Sequence, residues 1–188
     1  MSRLEQILAH NGAFVDNQNY EEYRTTKFPD KKLAVVTCMD ARLTELLPKA
    51  LNLRNGDAKI IKNAGAIVTQ PFGNIMRSIL VAVYELGAEE VLIIGHYECG
   101  MTGLNPESVL GKVKDVGIHD DVIDTLVHSG INLKRWLTGF DNVKESVENS
   151  VSIVRNHPLL PPNTPVHGLI IHPETGKLDL IVNGYDKH

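Results

Sequence analysis

The chain contains two cysteines, Cys38 and Cys99. Two are too few for a disulfide framework and too few for a four-thiolate zinc site. They form one disulfide, stand as core thiols, or supply two ligands to one mixed site. Their neighbours bear on that choice. His96 precedes Cys99 by three residues, a spacing that lets one metal ion bind both side chains from a single loop. Asp40 follows Cys38 by two residues, and Arg42 follows Asp40 by two. Thiolate and imidazole are preferred zinc ligands, and three protein ligands with a fourth position open describe a catalytic rather than a structural zinc. Asp40 has two possible partners, that fourth position and the Arg42 guanidinium, which offers a strong charge-assisted contact. It cannot serve both fully, which points to a switch.

Such a site requires Cys38 and the His96–Cys99 loop to meet. The apolar run 33–37 reads as a buried strand leading directly into Cys38, and 91–94 as another, with only Gly95 between it and His96. Two further strands are expected at 58–61 and 168–172. A turn at 173–176 then leads to Leu178, Leu180 and Val182, whose alternation marks an antiparallel edge strand. Helical spacing covers 43–52, with Pro48 inside it, and most of 119–156, with breaks at Ser129-Gly130 and at Gly139. Residues 74–86 are apolar on nearly every face and read as a buried helix capped by Gly87. Strands alternating with helices imply an α/β fold: a mainly parallel four-stranded sheet flanked by helices, with an antiparallel C-terminal edge strand. Ligand sites in such sheets form beyond the carboxyl ends of the strands, where both cysteines lie.

Residues 2–15 read as an amphipathic helix. Ser2 and Glu5 fit a capping box, and Leu4, Ile7 and Leu8 share a face. The polar stretch 16–32 reads as a connector, so 1–32 is an N-terminal helical arm with its tether and 33–188 a single α/β zinc-binding domain.

Composition limits the function classes. The 188 residues are 43% hydrophobic and 22% charged, ordinary for one folded domain. A net charge of −4 lacks the footprint of a nucleic-acid binder. No apolar run approaches the ~18 residues of a membrane span, and the N-terminus has no signal-peptide core, so a cytoplasmic protein is expected. Residues 95–102 nearly match a phosphate-cradling loop, but Met101 stands where the lysine belongs. No G-x-G-x-x-G follows a strand. The other histidines, His10, His119, His128, His157, His167, His172 and His188, read as non-ligands. Asp115, Asp120, Asp121 and Asp124 read as a solvated helix face, and Trp136 as packing.

Cys38-x-Asp40-x-Arg42 followed by His96-x-x-Cys99-Gly100 resembles the β-class carbonic anhydrases. Lys62-Asn63-Ala64-Gly65 resembles the family's intervening segment, with Lys62 as a departure from the more usual Arg. The resemblance spans residues 33–103. It implies Cys38, His96 and Cys99 as zinc ligands and Asp40 and Arg42 as a catalytic dyad. It implies a homodimer or dimer of dimers, with the N-terminal arm gripping a partner subunit. The implied reaction is hydration of CO2 to bicarbonate and a proton by water activated on Zn2+. Asp40 orients the nucleophile, and in a closed form it becomes a metal ligand itself. Two thiolates cancel the charge of Zn2+, so bound water is less acidified than in an all-histidine site and activity favours alkaline pH. Two other readings stand beside this one: a zinc hydrolase of COS or CS2, and a non-catalytic zinc-binding or bicarbonate-sensing protein.

Overall fold

A computed structural model describes residues 1–186. Five strands form one sheet in the order β2-β1-β3-β4-β5: β1 Leu33–Cys38, β2 Ala58–Asn63, β3 Glu90–His96, β4 Val166–Ile171 and β5 Leu178–Val182. The first four are parallel, and β5 closes the edge antiparallel to β4. From β1 the chain steps outward to β2, then crosses back to place β3 on the other side of β1. This reversal opens a crevice between the carboxyl ends of β1 and β3, the usual ligand position in such sheets.

Two apolar layers cover the sheet. On one face α3 (Asn74–Tyr84) and α7 (Val143–Arg155) bury Met76, Ile79, Val147, Val151 and Val154 against Ala34, Val36, Val91 and Ile93. On the other, α2 (Leu43–Ala50) buries Leu43 and Leu47 with Val35, Ile94 and Ile171, and both cysteines belong to this second layer. Gly95 permits the close seating of α7. A Cβ there would come within 2.8 Å of Val147 Cγ2 and 3.0 Å of Val143 Cγ2. Pro48 sits inside α2, but the helix has only 8 residues, so a single backbone bond is forgone.

The expected helix at 74–86 needs correction. Only Met76, Ile79 and Ala82 are buried, whereas Val81 and Tyr84 are exposed. One face packs on the sheet, and among the described residues the other is left partly exposed, with the Tyr84 hydroxyl donating to the Leu159 carbonyl at 2.8 Å. Gly87 does adopt the left-handed conformation after this helix, where the Ala88 amide donates to the Ala82 carbonyl at 2.9 Å. The 119–156 region divides at the expected breaks into α5 (Asp120–His128), α6 (Leu133–Leu137) and α7. A helix that the apolar spacing does not mark, α4 (Pro106–Asp115), precedes them. Its start carries standard signals: Asn105 caps the Glu107 amide at 2.8 Å, and Pro106 occupies the first turn. Trp136 is 73% exposed and packs no core. The acidic residues Asp115, Asp120, Asp121 and Asp124 are exposed.

The N-terminal helix α1 spans Arg3–Asp16 behind the Ser2–Glu5 capping box. None of its residues is buried, so Leu4, Ile7 and Leu8 present an apolar stripe that the chain leaves uncovered. The connector is tied to the sheet: the Asp30 and Lys31 amides donate to the Gly56 and Asp57 carbonyls at 3.0 and 2.9 Å. Lys32 pairs with Glu89. No helix among the described residues is long and apolar enough to cross a membrane.

Candidate active site

The register of β1 against β3 pairs Thr37 with Ile94, so Cys38 and His96 emerge side by side at the crevice. Cys99 returns from the loop after β3. All three are buried, and one ligand atom from each lies within 4.8 Å of the others. The two sulfurs are 3.9 Å apart and not bonded. The disulfide and separate-thiol options left open by the cysteine count do not describe this arrangement; the thiols share a site with a histidine.

The state of His96 is set by its neighbours. Nδ1 lies 2.8 Å from the Tyr97 carbonyl, which can only accept, so Nδ1 carries the proton and donates. Nε2 is then a lone-pair acceptor, buried and without a hydrogen-bond partner. An orphaned buried nitrogen is costly unless something else occupies its lone pair. Two thiols and a free imidazole nitrogen are the donor set that zinc selects, and a histidine held through its second nitrogen is the usual support of such a ligand. The residues fit a zinc ion.

Electrostatics favour thiolate at Cys38 and the protonated forms of Cys99 and His96. The hydrogen bond with Cys99 pulls the Cys38 thiol well below its ordinary range, against the opposing effect of burial, and the same contact pushes Cys99 up. The Gly65 amide donates to Cys38 Sγ at 3.3 Å and further favours thiolate. Gly65 has φ +78°, which suits glycine, and this conformation aims the amide. Burial works against a charged His96, but Cys38, the Tyr97 carbonyl and Asp40 outweigh it and raise its pKa.

Asp40 stands outside the three-residue group and faces Arg42. Its Oδ1 accepts from the Arg42 backbone amide at 2.9 Å and from Nε at 3.1 Å; its Oδ2 accepts from Nη2 at 2.9 Å. The Arg42 hydrogen bonds hold the Asp40 carboxyl down at about 2. Oδ2 also lies 3.8 Å from His96 Nε2, so the carboxylate borders the space that Nε2 faces. Arg42 is placed by the first turn of α2, where it is the N-terminal flanking residue.

The intervening segment contributes backbone. The Met39 amide donates to the Asn63 carbonyl at 2.8 Å, and Asn63 Nδ2 donates to the Ile67 carbonyl at 2.7 Å. Lys62 is exposed. A cleft of about 1100 Å³ runs along this rim, with Asn63, Ala64, Met101 and Phe140 among its walls. His10, His119, His128, His157, His167 and His172 join no metal-holding group among the described residues, and His188 lies outside those residues. One residue at the site is not marked by the motif spacing: Glu98, between His96 and Cys99, which also receives hydrogen bonds from Arg42. The available signal is that Arg42 has more donors than one carboxylate can take.

Comparisons with known proteins agree with this geometry. A family model described as carbonic anhydrase matches residues 33–178. A Bacillus subtilis (strain 168) protein named "Putative carbonic anhydrase YvdA" is 63% identical over 186 residues, covering 99% of this chain and 94% of that one. The crystal structure of β-carbonic anhydrase isoform I from Trichomonas vaginalis superposes with a TM-score of 0.89 at 39% identity, covering 98% of this chain and all of the other. A carbon disulfide hydrolase of Acidithiobacillus thiooxidans is 32% identical, covering 79% of this chain and 76% of its own length.

Proposed function

The chain belongs to the β-class carbonic anhydrase family, and from that premise we propose that it catalyses CO2 + H2O ⇌ HCO3⁻ + H⁺. Cys38, His96 and Cys99 are the zinc ligands in this reading. The single observation that carries it is the unpartnered, buried Nε2 of His96 among two thiols, with Asp40 at its border. When bound, zinc supplies a Lewis acid that makes water nucleophilic near neutral pH.

The chain's own residues do the rest. Asp40 remains ionised and accepts a hydrogen bond from the attacking water, turning its lone pair toward the carbon of CO2. Arg42 holds Asp40 through three hydrogen bonds and keeps it charged. The apolar wall of Met101 and Phe140 suits a small, uncharged substrate. If Arg42 releases it, Asp40 turns toward the ligand group and blocks the site, which makes the pair a gate as well as an orienting device. Residues 33–188 are the catalytic domain, and 1–32 the arm that joins two copies into a homodimer or a dimer of dimers. The uncovered stripe of Leu4, Ile7 and Leu8 supports that role.

Stopped-flow CO2 hydration combined with a zinc assay is the test. Zinc bound to the protein and turnover between pH 7 and 9 are expected. A zinc-free protein with no turnover in that range would overturn the reading. A second reading, hydrolysis of CS2 or COS, is favoured by the resemblance to the carbon disulfide hydrolase. Competition between CO2 and CS2 separates the two. A sensor without turnover has no use for a carboxylate held by arginine at the edge of the ligand group.

A further inference from the structure

Asp40 does not use all of the Arg42 guanidinium. Nη1 donates to Glu98 Oε2 at 3.3 Å, and Nη2 donates to the Glu98 backbone carbonyl at 3.2 Å. Arg42 is thus held on both edges, Nε and Nη2 toward Asp40, Nη1 and Nη2 toward Glu98. The backbone at Glu98 has φ +56°, in the left-handed region. A residue needed only to turn the chain there would be better served by glycine, which adopts this conformation without strain. Glycine would bring no carboxylate.

The contact does little for stability, because its partners are wet. The Arg42 side chain is 42% exposed and that of Glu98 63%. Ion pairs this exposed contribute little to folding. Such a pair can still orient, because the guanidinium is planar and a second anchor fixes its remaining rotation.

We propose that Glu98 is a positioning residue for CO2 hydration: it clamps the outer edge of Arg42 so that the inner edge keeps Asp40 aimed and off the ligand group. This inference rests on the carbonic anhydrase reading above. Glu98 acts through Arg42 and touches no reacting atom.

The test uses the zinc-loaded full chain with Glu98→Gly and Glu98→Gln. Glu98→Gly relieves the left-handed strain, so it is expected to keep its zinc and melt no lower than the native protein. It should nevertheless lose about tenfold in kcat/KM, the scale on which small misplacements of catalytic groups act. The Arg42 Nε–H, followed by 15N NMR, should exchange faster with solvent. Glu98→Gln keeps an acceptor oxygen and should recover most of both readouts. Native kcat/KM together with native Nε–H exchange in Glu98→Gly overturns the clamp; so does loss of zinc from that variant, which assigns Glu98 to holding the metal loop. A native protein without CO2 hydration would overturn the proposed function instead, and the Arg42 exchange rate would then decide the clamp alone.

Discussion

Asp40 and Arg42, two residues apart, are joined three times, by one backbone and two side-chain hydrogen bonds between 2.9 and 3.1 Å. The bidentate side-chain portion fixes the carboxylate plane as well as its charge. The turn just before α2 makes this possible by bringing the Arg42 amide round to the Asp40 side chain two residues back. Orientation of Asp40 is therefore built from local backbone, while its distance from His96 depends on the sheet.

Asp40→Asn should keep zinc and lose turnover. The amide is nearly isosteric but uncharged, so it orients the nucleophile poorly and pairs weakly with Arg42. A fall of about 10²-fold in kcat/KM is expected, on the scale of removing one orienting or charge-stabilising group. Stopped-flow hydration and a zinc assay on the same sample measure both halves.

Cys99→Ala should lose the metal. Two ligands remain, and the Cys38 thiolate loses its 3.9 Å neighbour. Zinc content well below one ion per chain, with the sheet still folded by circular dichroism, is the expected result. Chelation of the native protein should abolish activity, and added zinc should restore it. Full zinc occupancy in Cys99→Ala would remove Cys99 from the ligand set.

Asp40 determines one pH limit. Its folded pKa is about 2 against an ordinary value of 3.8. A depressed carboxyl stabilises the fold above its unfolded pKa, and that contribution disappears as pH falls through the folded value. The window is therefore about pH 4 down to 2, far below neutrality. Any rise in activity between pH 6 and 9 thus comes from another group, in keeping with the alkaline preference of a two-thiolate zinc. In pH–rate profiles, Asp40→Asn should lower the plateau and move the midpoint toward lower pH, because a negative charge beside the attacking water is lost.

Gly95→Ala should destabilise the fold. The added methyl lies within 2.8 Å of Val147 Cγ2, so α7 must move or the valine must strain. Overpacking of this kind costs about 1–3 kcal/mol. Denaturant titration would show it as a lower midpoint with an unchanged slope.

Deleting residues 1–17 should lower the oligomeric state. The α1 stripe is exposed along its length, and the connector, not α1, is what ties this segment to the sheet. Light scattering coupled to size exclusion should report a smaller assembly that still binds zinc. An unchanged mass would remove the arm from the interface.

Residues that carry chemistry in short motifs are legible in the sequence alone. Cys38 and His96 end β1 and β3, and Asp40, Arg42 and Cys99 follow on the adjoining segments, so chain connectivity holds each group in register. The capping box of α1, the breaks between α5, α6 and α7, and the five strands are legible for the same local reason. Helix α4 is polar overall and buries none of its residues, so it escapes a reading based on apolar runs, although Asn105 and Pro106 mark its start. Helix α3 departs from expectation because hydrophobicity reports what a face prefers, and the chain alone does not reveal what covers it. Glu98 stays hidden because nothing in the one-dimensional spacing says that Arg42 reaches across the crevice.

By itself, then, the sequence determined which donor side chains could hold a metal, the strand-loop-helix alternation and the local pairing of Asp40 with Arg42. These rest on short-range geometry: side-chain donor chemistry, residue periodicity and turn stereochemistry. Tertiary structure alone decided that β1 and β3 are neighbours, that Cys38 and Cys99, 61 residues apart, come within 3.9 Å, and that His96 spends its Nδ1 proton on Tyr97 and leaves Nε2 free. Strand order is settled by which apolar faces bury together across the whole sheet, a balance of long-range packing that no local window of residues contains.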